Sequence, residues 1–141
     1  RVACGGDALS KPRETVPVPK SEARLFLKKA EEFVGAAGRA LDAGDHNAAG
    51  LLAVHAGICA VDALTVSHLG VRSAGQRHLD VLALVRQLPG PRREAVANQL
   101  TELLREKTPI EYEGRLITLG DSEKMVKLAG RLVAAAGDAL G

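Results

Sequence analysis

Asp45-His46-Asn47-Ala48-Ala49-Gly50-Leu51-Leu52-Ala53-Val54-His55-Ala56-Gly57-Ile58-Cys59-Ala60-Val61-Asp62-Ala63-Leu64-Thr65-Val66-Ser67-His68-Leu69-Gly70 is the stretch on which the fold turns. It holds no proline, opens on an N-cap residue and closes on a glycine suited to the position after a helix. It therefore reads as one long helix from Asp45 to about Leu69. By the three-and-four step, Leu52, His55, Cys59, Asp62, Val66 and Leu69 share one face. That face is expected to meet the core, yet it carries polar groups. An aspartate on such a stripe is costly unless it is paired or opens into a cleft. His55 and Asp62 are two turns apart, about 10 Å along the axis, so they cannot pair with each other. His78, Lys107 and Tyr112 are the candidate partners. The plainer readings are that Asp62 anchors a loop or a cationic side chain and that His55 is a satisfied core or interface histidine.

Outward from this helix, the pattern predicts an all-α, up-down bundle of four to five helices. A first helix starts near Ser21, carries the stripe Phe26, Ala30, Phe33, Ala37 and Leu41, and stops at Gly44. Residues 1–20 hold three prolines and little periodicity, which reads as a flexible leader or extended arm; residues 21–141 form the bundle. Beyond Gly70 a loop over 71–76 leads to a third helix with Leu79, Leu82, Val85 and Leu88. Pro89-Gly90-Pro91 ends it. A fourth helix carries Val96, Leu100, Leu103 and Leu104 until Pro109 breaks it, and residues 110–120 read as irregular or briefly extended. A fifth begins at Asp121 or Ser122 with Met125, Leu128, Leu132, Val133 and Ala136 on one face. Short connections between such helices favour antiparallel neighbours.

Composition agrees. Apolar residues make up 46% of the 141 and aromatics 2%, so the core must be built from Ala, Leu and Val. With 19 basic against 17 acidic residues the net charge of +2 is too balanced to predict nucleic-acid or membrane binding from the overall field. No apolar run is expected to approach the roughly 18 residues that span a bilayer. Cys4 falls in the leader and Cys59 reads as a small core residue; neither looks like part of a disulfide framework, and a cytoplasmic location fits best. The chain starts at Arg1 rather than Met, so an upstream segment is expected.

Common enzyme motifs are absent. His46, His55, His68 and His78 include no i, i+4 pair that would bring two metal ligands together. No phosphate-binding glycine loop follows a strand, and there is no nucleophile elbow. No metal or cofactor is expected. Arg72-Ser73-Ala74-Gly75-Gln76-Arg77-His78 matches a loose Arg-x5-His pattern; loop anchoring against Asp62, or a small phosphate-facing patch at a helix start, accounts for it more simply.

Two segments resemble a known family. Phe26-Leu27-Lys28-Lys29-Ala30-Glu31-Glu32-Phe33, followed by Leu41-Asp42-Ala43-Gly44-Asp45-His46-Asn47-Ala48-Ala49, is similar to the opening helices of HEPN domains and the turn between them. Lys107-Thr108-Pro109-Ile110-Glu111-Tyr112-Glu113-Gly114-Arg115 is similar to their last third, and the resemblance spans roughly residues 22–139. It implies a bacterial helical bundle that commonly dimerises. Many members are metal-independent ribonucleases, often toxins paired with a nucleotidyltransferase antitoxin; others are non-catalytic and bind nucleotides or proteins. The ribonucleases carry Arg-x4-His, in some toxins extended to Arg-x4-His-x-Tyr. Here Arg105 and Tyr112 match, and Ile110 stands in the histidine position. Isoleucine can neither take nor give a proton, which metal-free RNA cleavage requires.

The expectation is thus a non-catalytic HEPN-like module, a homodimer, binding a nucleotide, RNA or protein partner in a cleft. Its ligand-binding residues would be Asp62, Arg77, His78, Arg105, Lys107 and Tyr112, with His55 as a structural polar residue. Arg77 and Lys107 would meet phosphate, Tyr112 would stack or hydrogen-bond, and Asp62 and His55 would orient them. A divergent ribonuclease using His78 with Arg72 or Arg105 is the enzyme alternative. A structural dimerisation bundle whose polar stripe sets register is the third.

Overall fold

The computed structural model describes residues 14–74 and 78–141, without the side chains of residues 78, 79, 108 and 111. A short strand β1 (Thr15–Pro17) and a 3-10 turn (Lys20–Glu22) precede α1 (Ala23–Asp42) and α2 (His46–Leu69). Strand β2 (Val71–Ser73), α3 (His78–Val85), α4 (Arg93–Leu104), α5 (Lys107–Tyr112) and α6 (Leu119–Leu140) complete the chain. The architecture is the expected all-α bundle, with one two-stranded antiparallel ribbon added.

The turn between α1 and α2 holds Gly44 at φ +82°, a left-handed conformation that sends α2 back along α1. Helix α1 buries Ala23, Ala30 and Ala37, one residue in every seven, while Phe26 and Phe33 flank this seam half-buried. A seam of alanines lets two helix backbones approach closely, and α2 answers with alanines and glycines of its own.

Helix α2 departs from the expected single stripe. Twelve of its 24 residues are buried, and they are distributed around the helix rather than along one side. A helix that is apolar all round sits at the centre of its bundle. The stripe of Leu52, His55, Cys59 and Asp62 is the least covered side, with His55 exposed and the others half-buried. Cys59 is accordingly an edge residue and not a core one. By length and composition α2 could cross a membrane, contrary to the expectation from the sequence, because its two polar stripe residues are diluted by alanine, valine and leucine; 67% of its most apolar window is buried within the bundle.

Large side chains from α4 and α6 fill the space that small residues of α2 leave. Leu100, Leu103 and Leu132 are fully buried beside Val54 and Val61. Gly57 marks the tightest point: a Cβ there would collide with Cδ2 of Leu103 and lie 3.2 Å from Cδ1 of Leu132.

Several boundaries differ from the sequence reading. Ser21 lies inside the 3-10 turn instead of capping α1. Asp45 holds the N-cap position of α2 without a side-chain capping bond. Helix α4 ends at Leu104, and Pro109 does not break it; the proline sits in the first turn of α5, where a backbone N–H has no helical partner in any case. Thr118, not Asp121 or Ser122, caps α6: its side chain accepts the Asp121 N–H at 3.0 Å, and the buried Ser122 hydroxyl donates to the Leu119 carbonyl at 2.8 Å. Residues 14–17, expected in the leader, pair with 71–73, expected as loop, in the register Thr15–Ser73, Val16–Arg72 and Pro17–Val71. Bonds from Val18 N–H to the Gly70 carbonyl (2.9 Å) and from Ala74 N–H to the Glu14 carbonyl (3.0 Å) extend the ribbon at both ends. Cys4 and Arg77 lie outside the described residues.

Candidate functional site

The ribbon lies beside the C-terminal half of α2 and so brings a third element to the polar stripe. Helix α1 supplies Lys29 and Phe33, one turn apart; α2 supplies His55, Cys59 and Asp62; β2 supplies Arg72. Phe33 and His55 meet edge to face, with ring centroids 6.4 Å apart and planes at 64°. His55 thus has a neighbour on α1, where the sequence reading looked to later helices.

Asp62 is the chemical centre of this cluster. Burial raises its carboxyl to about 7, although the charges of Arg72 and Lys29 both pull it down. Desolvation therefore outweighs two nearby cations. Among the described residues neither cation closes to an ion pair with Asp62, and its carboxyl takes no hydrogen bond. Near neutral pH the group is divided between acid and carboxylate, able to donate as well as accept, under a local excess of positive charge. Burial also pushes the Cys59 thiol up, with the Asp62 charge adding to the effect and Lys29 opposing it. A thiol so placed stays protonated at neutral pH and is no activated nucleophile.

The other expected site residues do not gather here. Helix α5, which carries Lys107 and Tyr112, meets α2 near its start: a Cβ on Gly50 would lie 3.2 Å from Ile110 Cδ1 and 3.4 Å from Met125 Sδ. Gly50 and Asp62 are twelve residues apart, about 18 Å along the helix. Tyr112 is 75% exposed at that far end, and Arg105 is exposed in a hollow of about 120 Å³ lined by Glu102, Lys124 and Met125. Helix α3, which begins at His78, packs against α4, α2 and β2. Of the expected set the structure thus separates Asp62 from Arg105, Lys107 and Tyr112. The sequence reading missed Lys29 and Phe33 as site residues. Their signal was the i, i+4 spacing beside the α1 seam, a pattern that also fits an ordinary packing edge.

The turn between α1 and α2 has a visible structural task. Asn47 Oδ1 accepts the Ile117 N–H at 2.8 Å, tying the segment before α6 to the start of α2 across the chain. Ile110, at the place where the resemblance expects a proton-transfer group, packs against the core beside Gly50.

No family model matches this chain, and no curated protein matches it. Among solved structures it is similar to that of TT1696 from Thermus thermophilus, with 22% identity and a TM-score of 0.66 over 83% of this chain and 97% of that one. At that identity the likeness shows the fold alone: this chain folds as the same kind of helical bundle.

Proposed function

We propose that this chain is a HEPN-like binding module without ribonuclease chemistry, which recognises a nucleotide at the side-chain cluster shared by α1, α2 and β2. The observation that carries this reading is the unpaired, half-buried Asp62 carboxyl under the charges of Lys29 and Arg72. In this reading the two cations take the phosphate, Asp62 bonds a ribose hydroxyl or base edge, and the Phe33–His55 pair offers an aromatic edge to the base. Ile110 supports the non-catalytic part, since its half-buried side chain packs against the core and carries no titratable proton. Exposed Tyr112, Leu116 and Leu119, close together in sequence around the α5–α6 connection, offer an apolar surface for the homodimer that the resemblance implies.

Thermal unfolding with and without AMP tests the reading. AMP should raise Tm, adenosine should raise it far less, and Lys29→Ala with Arg72→Ala should remove the effect; saturation at a hundred times Kd corresponds to about 2.7 kcal/mol. No stabilisation by AMP, or stabilisation that survives the double variant, sinks it. RNA cleavage by the wild type that disappears in folded His78→Ala would replace it with the ribonuclease alternative. A dimer dissociated by Asp62→Asn, with no nucleotide bound by the wild type, would replace it with the structural one.

A further inference from the structure

A cavity opens on the other side of α2 from Asp62. It has a volume of about 270 Å³ and lies where the 88–92 connection bridges α2, α4 and α6. Leu64, Leu88, Val96, Ala135 and Ala139 contribute its apolar walls, and His68, Arg92, Arg93 and Asp138 its polar rim. Leu64 is two residues from Asp62, a step of about 200° around the helix, so this cavity and the Asp62 cluster do not share a face.

The rim is built and not merely charged. Pro89 and Pro91, whose rings fix their own φ, bracket Gly90, whose φ of +90° is one that residues with a side chain rarely adopt. Arg92 Nη1 and Asp138 Oδ2 pair at 3.0 Å, which neutralises both. Arg93 Nη1 donates to the Arg86 carbonyl at 3.2 Å and to the Leu88 carbonyl at 3.4 Å. These bonds hold the guanidinium in place, and among the described residues no acceptor takes its Nη2 or Nε hydrogens. One surplus cation with free donors thus stands over an apolar hollow.

We propose that this cavity binds a small organic monoanion, a carboxylate with a compact apolar body such as one aromatic ring. The carboxylate would take the remaining donors of Arg93, and the ring would displace water from Leu64, Val96 and Ala135. Size limits the ligand. The volume falls just below the roughly 300–1,000 Å³ of pockets for drug-sized molecules, which favours a compact ligand over a nucleotide or a long acyl chain. Charge limits it too: one unpaired guanidinium beside Asp138 suits a monoanion better than a phosphate dianion.

Amide NMR spectra of the whole chain, titrated with sodium benzoate and separately with uncharged benzamide, test the assignment. Benzoate should give saturable shifts at the amides of Leu64, Val96 and Ala135, and benzamide should bind at least about tenfold more weakly. Ala135→Phe fills the hollow and should abolish the shifts; Ala139→Phe, at the exposed end of α6, serves the same purpose if the first variant fails to fold. Arg93→Lys, which keeps the charge but loses the fork, should weaken binding about tenfold. Absence of saturable shifts, equal binding of benzamide, or shifts that persist in a folded cavity-filled variant would overturn the proposal. None of these outcomes depends on whether a nucleotide binds at the Asp62 cluster.

Discussion

Asp62 carries the clearest consequence at the scale of one residue. Its carboxyl titrates at about 7 in the folded chain against an ordinary value of 3.8. Between those values the folded state holds a proton that the unfolded state has lost, so stability falls as pH rises from about 4 to about 7 and levels off above. Asp62→Asn removes that dependence. At 1.36 kcal/mol per pK unit the shift sets an upper bound of about 4 kcal/mol, and solvent access at this half-buried group lowers the expected gain at pH 8 to about 1–2 kcal/mol. Urea unfolding at pH 5 and pH 8 measures it: the wild type should lose stability between the two, the variant should not. Equal pH profiles would mean that the carboxyl is solvated like any surface acid. The sequence marked Asp62 as out of place, since the three-and-four step alone puts a charge among leucine and valine. The cations around it were not legible, because Lys29 and Arg72 reach it only once α1 and β2 are docked.

At the scale of elements, side chains decide where helices start and how their ends are tied. Asn47 holds the Ile117 N–H, and Ile117 is itself buried. Asn47→Ala leaves that donor unsatisfied at a cost of about 1–2 kcal/mol. Hydrogen exchange at the Ile117 amide should quicken by at least about tenfold while exchange in the middle of α2 changes only with global stability. Thr118→Ala removes the N-cap of α6 and should cost about 1 kcal/mol. The sequence offered Asp121 and Ser122 as equally good caps; the choice fell to Thr118, which places Leu119 first in the helix and buries Ser122 one turn later. Pro109 shows the same limit from the other side. A proline ends a helix or begins one, and only the packing of Ile110 against Gly50 shows that here it begins one.

At the scale of the molecule, three helices meet at Gly57. A methyl group at this position would favour the helix by up to about 1 kcal/mol. It would also collide with Leu103, whose fully buried side chain has little room to turn away. Overpacking of this kind costs about 1–3 kcal/mol, so Gly57→Ala should destabilise the bundle by about 1–2 kcal/mol net. Gly130→Ala in α6 is the control, because nothing lies within 4 Å of the added methyl group. It should stabilise by about 0.5–1 kcal/mol in the same denaturation experiment. If both substitutions stabilise, α2 is less tightly enclosed than its burial implies.

The approximate positions of five of the six described helices, the Ala/Leu/Val core and the all-α class followed from the sequence alone, while α5 did not; helix propensity, glycine and proline breaks and apolar spacing act over a few residues and are written along the chain. What the tertiary structure decided is which side of α2 is covered. An all-round apolar helix has no pattern strong enough to choose, so the stripe of His55, Cys59 and Asp62, expected to face the core, became its open edge when α1, α4 and α6 closed on the alanines and glycines. The ribbon between residues 14–17 and 71–73 was likewise out of reach, since pairing across more than fifty residues leaves no local periodicity to read. That pairing carries Arg72 to the side of Asp62, while the length of α2 keeps Lys107 and Tyr112 at its other end.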